Sequence, residues 1–138
     1  MNPQTNLPHS LYIHWPFCSF KCHYCDFVAF EQHAEHQAAY QKTLLAEIKT
    51  FAKMHHNNNE AAIKTIFIGG GTPSLYPLPW ISELFKTLHS SFNLSACTEI
   101  TLESNPADID EEKLDCWADL GINRLSVGVQ SLDDAVLL

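Results

Sequence analysis

The stretch Ile63-Lys64-Thr65-Ile66-Phe67-Ile68-Gly69-Gly70-Gly71-Thr72-Pro73 decides how the chain folds. A short β-branched, apolar run predicts a buried strand, and three glycines end it abruptly. Pro77 and Pro79 then suit a helix start. Beyond them Ile81, Leu84, Phe85 and Leu88 recur at helical spacing. A strand, a loop of unusual residues and a helix make one β/α unit.

The same unit repeats on both sides. Upstream, Leu11 to His14 reads as a strand stopped by Pro16, and Tyr40, Leu44, Ile48 and Phe51 predict a helix from about Ala34 to Met54. His55, His56 and Asn57 to Asn59 form a polar break. Downstream, Glu99 to Glu103 predicts a third strand. Asp110 is placed to cap the next helix, with Ile109 and Leu114 positioned for a hydrophobic staple and Gly121 for the C-terminal cap. Leu125, Val127 and Val129 alternate as a fourth strand, and Asp133 and Asp134 resemble the opening of a further helix.

About four β/α units in succession predict an α/β fold with a parallel sheet and right-handed crossovers. The loops with unusual residues all follow strands. Cysteines follow the first and glycines the second, Glu103 and Asn105 end the third, and Gln130 lies past the fourth. In parallel sheets that edge is the active face. The pattern predicts one site assembled from four loops.

Composition narrows the function. A length of 138 residues with 46% hydrophobic content fits one ordinary domain and excludes a disordered chain. No run approaches the ~18 uninterrupted apolar residues of a membrane helix, and Met1 to Ser10 lack the features of a secretory signal. A cytoplasmic protein is expected. Eight Lys plus Arg against 16 Asp plus Glu give a net charge of -8, with Arg124 the sole arginine. Such a surface repels phosphate backbones, so nucleic acid is excluded as an electrostatically bound partner.

Cys18-Ser-Phe-Lys-Cys22-His-Tyr-Cys25 is a C-x3-C-x2-C arrangement on a loop. Three thiolates this close can wrap one metal centre. Because cubane clusters are usually held by four cysteines, three would leave an iron open to an exogenous ligand. The spacing also permits a Cys3His zinc site with His14 or His23 as fourth ligand. A disulfide framework is disfavoured in a reducing compartment. Cys97 and Cys116 lie far away and are expected to be buried small hydrophobes.

The cysteine loop resembles that of the radical S-adenosylmethionine (radical SAM) superfamily. There the open iron of a [4Fe-4S] cluster is chelated by SAM, which is then cleaved to a 5′-deoxyadenosyl radical. Four further segments sharpen the resemblance: Tyr12-Ile-His14-Trp-Pro16-Phe-Cys18, Phe67-Ile-Gly69-Gly-Gly-Thr-Pro73-Ser, Leu102-Glu103-Ser-Asn105-Pro, and Gly121-Ile-Asn-Arg124-Leu-Ser-Val-Gly128-Val-Gln130-Ser. They are similar to the group comprising anaerobic coproporphyrinogen III oxidases and HemW heme chaperones.

The resemblance implies Cys18, Cys22 and Cys25 as cluster ligands. It implies Gly70, Gly71 and Thr72 against the amino-acid end of SAM, Glu103 at a SAM contact, and Tyr12 and Tyr24 as aromatics near SAM, where core packing is the other reading. Gln130 matches a position that contacts a second SAM in the oxidase. Arg124 belongs to the motif, with ligand binding and holding of the helix–strand turn both open. The glycine segment lacks the Lys-Ser/Thr of a P-loop, which disfavours a nucleotide-phosphate cradle. His55 and His56 could ligate heme but read better as exposed loop residues. His33 and His36 receive no assignment.

Within the group, the oxidase carries a cysteine two residues after the third cluster cysteine, where this chain has Phe27 in Cys25-Asp26-Phe27. The oxidase also has a long extension before its cluster loop. Both differences resemble HemW and imply a heme chaperone, with heme and a recipient hemoprotein as partners and a reductant protein as electron donor. The alternative is oxidative decarboxylation of coproporphyrinogen III to protoporphyrinogen IX, and a zinc module without SAM is a third class. About four units are also fewer than the six of the partial (β/α)6 TIM-like barrel that the resemblance implies. Residues 1–138 are therefore expected to be an incomplete radical SAM core domain, the N-terminal part of a longer protein, poorly soluble by itself.

Overall fold

The computed structural model describes residues 9–31, 33–55 and 62–137. Strands β1 (Ser10–Trp15), β4 (Thr65–Gly70), β5 (Glu99–Ser104) and β6 (Arg124–Val127) form a parallel sheet in the order β1-β4-β5-β6. Helices α1 (Ala34–Met54), α2 (Leu78–Ser91) and α3 (Glu111–Asp119) make the connections, and a short α4 (Asp134–Leu137) follows. The sequential strand order is that of an α/β unit series wound in one direction. Two-residue strands β2 (Phe17–Cys18) and β3 (Phe30–Glu31) pair separately within the cysteine loop.

Register assigns each strand residue to one of two faces, because side chains alternate along a strand. Ile13 pairs with Ile68 and Trp15 with Gly70; Ile66 pairs with Ile100 and Ile68 with Leu102. This face is buried with Leu45 and Ile48 of α1, Ile81, Leu84, Phe85 and Leu88 of α2, and Trp117 of α3. Burying each large aliphatic or Phe side chain contributes roughly 1.5–3 kcal/mol. The opposite face carries Tyr12 and His14 of β1, Phe67 and Gly69 of β4, and Glu103 of β5. The core lies on one side of the sheet and the unusual residues on the other.

Caps agree with their residue types. The Asp110 side chain accepts from the Lys113 N–H at 2.8 Å, and Gly121, at φ +86, takes the left-handed turn after α3. Pro77 stands at the N-cap of α2, where its lack of an N–H costs nothing.

Some expectations are corrected. Val129 lies beyond β6, where Val129 N–H donates to the Val127 carbonyl and bends the chain out of the strand. Leu114 stays exposed rather than stapled under the helix start. Cys97 and Cys116 are half-buried rather than buried; Cys97 packs on the core's rim and Cys116 approaches Ser82. His55 stacks on Phe51, and its Nδ1 meets the Phe51 carbonyl at 2.8 Å, so it closes the end of α1. His56, Asn57 to Asn59 and Met1 to Pro8 lie outside the described residues. Among the described residues, no helix is long and apolar enough to cross a membrane.

Candidate functional site

The cysteine loop is a closed excursion from the end of β1. Pro16 has no N–H and stops the ladder, and its carbonyl accepts from Phe30 N–H at 2.7 Å where the loop returns. β2 and β3 seal this root, with Phe17 opposite Phe30 and Cys18 opposite Glu31. Within the loop, Cys25 N–H donates to the Cys22 carbonyl at 3.0 Å, so one tight turn carries both residues. All three thiols are free and half-exposed.

His14 straps this loop from inside. Its Nε2 lies 2.8 Å from the Val28 carbonyl, and its Nδ1 lies 3.0 Å from the Tyr12 hydroxyl. A carbonyl can only accept, so Nε2 carries the proton and Nδ1 receives the Tyr12 O–H. Both ring nitrogens are thereby occupied, and His14 has no lone pair to offer a metal in this arrangement. The Tyr40 hydroxyl donates to the His14 carbonyl and fixes the backbone there as well.

The glycine segment packs directly against the loop. A Cβ on Gly71 would lie 2.8 Å from the Phe17 carbonyl oxygen and 2.9 Å from Cys18 Sγ. One on Gly70 would lie 2.7 Å from the His14 ring, and Gly70 has φ +124 besides. One on Gly69 would meet Phe67, Glu103 Oε2 at 2.9 Å and Tyr12 at 3.1 Å. The glycines are needed because a cysteine, an imidazole, a carboxylate and a phenol ring crowd around one strand end.

The backbone donors of this segment are spent within the protein. Gly70 N–H donates to Glu103 Oε2 at 3.0 Å, Gly71 N–H to the Trp15 carbonyl at 2.7 Å and Thr72 N–H to the Phe17 carbonyl at 3.0 Å. It therefore presents no nest of free N–H groups for an anion. The Thr72 side chain is itself buried. Glu103 also acts electrostatically on Tyr12: partial burial, and then the nearby carboxylate, push the phenol above its ordinary pKa.

A second set of contacts, without a local sequence signal, locks the glycine loop to the loop after β5. Buried Ser74 donates its hydroxyl to Asp108 Oδ2 at 2.7 Å and accepts from Asn105 N–H at 3.3 Å. Asn105 Nδ2 also donates to Asp108 Oδ2 at 3.3 Å. This latch fixes the chain immediately after Glu103 relative to Thr72 and Pro73.

The structure thus gathers Cys18, Tyr12, His14, Gly69 to Gly71 and Glu103 at one strand edge. Tyr24 is exposed on the cysteine loop; a hydrogen bond to the Cys22 thiol, followed by the charge of that thiolate, pushes its pKa up. Gln130 stands apart from this group, exposed at φ 66, with its amide 3.0 Å from a Cβ placed on Gly128 and Asn105 Oδ1 3.8 Å from the same point. Arg124 reaches Glu99 at 3.4 Å and Thr101 at 3.3 Å from the start of β6, at the opposite end of the sheet. Both partners belong to β5, so Arg124 ties the start of β6 to its neighbouring strand.

The three free thiols stand on one loop whose root the β2–β3 pair closes. His23, the other candidate fourth ligand, lies edge-on to Phe20.

Comparison with known proteins gives the family. The model of the radical SAM superfamily matches residues 12–138. The chain is 34% identical, over 98% of its length, to bovine "Radical S-adenosyl methionine domain-containing protein 1, mitochondrial", of which it covers 31%. It is 38% identical, over 94% of its length, to "Heme chaperone HemW" of Escherichia coli, covering 34% of that protein. The solved structure of coproporphyrinogen III oxidase (HemN) from E. coli, a radical SAM enzyme, superposes with a TM-score of 0.79 at 32% identity. That match covers 92% of this chain and 29% of HemN. The chain spans about a third of the length of the curated relatives it matches.

Proposed function

The chain belongs to the radical SAM superfamily, and on that premise we propose that it holds a [4Fe-4S] cluster through Cys18, Cys22 and Cys25 and binds SAM beside it. The observation that carries this reading is the contact between Gly71 and Cys18, which brings the glycine segment against the first thiol with no room for a Cβ. When bound, the cluster supplies an electron to SAM, the family's route to a carbon radical. The protein's own residues do the rest. His14 and the Phe30-to-Pro16 hydrogen bond hold the loop closed, which keeps the three thiols on one short closed segment. Gly70 and Gly71 bring this strand end against His14 and Cys18, and the amino-acid end of SAM would lie along it. Glu103, with one oxygen fixed by Gly70 N–H, presents a carboxylate to the cationic, hydroxylated ligand. Tyr12 offers aromatic surface at the same edge, and exposed Tyr24 offers it on the cysteine loop.

For the whole protein we favour a HemW-type heme chaperone that transfers heme to a hemoprotein and draws its electron from a reductant protein. Phe27, where the oxidase has a cysteine, supports this, as do relatives named heme chaperones. The structural likeness to HemN favours the second reading, coproporphyrinogen III oxidation. Anaerobically reconstituted protein given coproporphyrinogen III, SAM and a reductant separates the two. The chaperone reading expects no protoporphyrinogen IX and a Soret band on heme addition. Turnover to protoporphyrinogen IX would sink it.

A further inference from the structure

We propose that His33, Glu35 and His36 form a second metal site, separate from the cysteines, that takes one divalent transition-metal ion of the zinc class. The three residues stand where the chain leaves β3 and enters α1. His33 Nδ1 lies 3.2 Å and His36 Nε2 3.5 Å from the same oxygen, Glu35 Oε1, and all three ligand atoms lie within 4.8 Å of one another. Among the described residues this is the one such group of His, Cys, Asp and Glu side chains.

The separations match a coordination polyhedron. With metal–nitrogen and metal–oxygen bonds of about 2.1 Å, the edges of a tetrahedral site are about 3.4 Å long and those of an octahedral site about 3.0 Å. Two of the three edges already have these lengths. The imidazoles lie 5.6 Å apart at 31° to each other, so a small ring rotation sets the third. Neutral imidazole needs only to carry its proton on the other nitrogen to present a lone pair here.

Two imidazoles and a carboxylate suit zinc, cobalt or nickel rather than calcium or magnesium, which prefer oxygen ligands. Three protein ligands leave positions for water or an external ligand, as in open rather than structural zinc sites. Cys18 pairs with Glu31, two residues before His33. An ion here would tie the residue that precedes α1 to that helix's first turn.

The test is anaerobic calorimetric titration of Zn2+ into the full chain with its cluster loaded, so that the cysteines do not compete. One equivalent should bind, and His33→Gln, His36→Gln and Glu35→Gln should each weaken it about tenfold or more. The side chains of His33 and His36 are 46% and 68% exposed, so far-UV circular dichroism should not change in the variants. A Cys18/Cys22/Cys25→Ser chain should keep the same zinc equivalent. Absence of binding by the cluster-loaded chain overturns the proposal. So does binding that the His33→Gln/His36→Gln double variant leaves unchanged.

Discussion

Gly71 sits where a methyl group would press on a carbonyl oxygen at 2.8 Å and on Cys18 Sγ at 2.9 Å. The first of these is backbone and cannot rotate away. Gly71→Ala should therefore displace the loop root at a cost of about 1–3 kcal/mol, and reconstituted variant protein should contain much less iron and sulfide than wild type. Glu103→Gln is a milder change: the amide oxygen can still accept from Gly70 N–H, but the charge is gone. A hydrogen bond to a charged group is worth about 1 kcal/mol more than a neutral one, so SAM should bind roughly fivefold or more weakly, with cluster content unchanged. Equilibrium dialysis with labelled SAM measures this. Glu103 and the glycines are legible in the sequence because their residue types follow strand ends. The strap made by His14 and the Ser74–Asp108 latch are not, since their partners lie 14 and 34 residues away and leave no local pattern.

Among the elements, α1 is read because Tyr40, Leu44, Ile48 and Phe51 keep a helical period through the middle of its 21 residues. β2 and β3 escape the sequence because two residues carry no period; tertiary closure of the loop makes them. At the start of α3, Asp110→Ala removes the bond to Lys113 N–H and should cost about 1 kcal/mol, seen as a lower denaturant midpoint with an unchanged slope. Tyr40 links α1 to β1, and burial, helped by Glu47 and Tyr12, pushes its phenol from the ordinary 10.0 up to about 12. The unfolded chain ionises near 10 while the folded one still holds its proton. The stabilisation is thus fully present below pH 10 and falls as pH rises towards 12. Alkaline unfolding followed by circular dichroism should begin in that window, and Tyr40→Phe should flatten the loss there.

Across the whole molecule, one sheet face is committed to the helices and the other to Tyr12, His14, Phe67 and Glu103. The sequence placed its unusual residues at the C-terminal strand ends, and topology together with register brings three of those loops into contact through Cys18, Gly71, Gly70 and Glu103, while Gln130 of the fourth stays outside. It did not foretell that Arg124 belongs to the other end. Nor could it decide between a zinc and an iron centre, because spacing fixes how many thiols meet but not how far apart they stand.

Metal and sulfide analysis of the anaerobically reconstituted chain, with electron paramagnetic resonance of the reduced protein before and after SAM, tests the central claim most directly. The expected result is about four irons and about four sulfides per chain, lost in Cys18→Ala, Cys22→Ala and Cys25→Ala, with a reduced-cluster signal that shifts when SAM is added. Zinc without acid-labile sulfide at these cysteines, or a full cluster that survives their replacement, would contradict it.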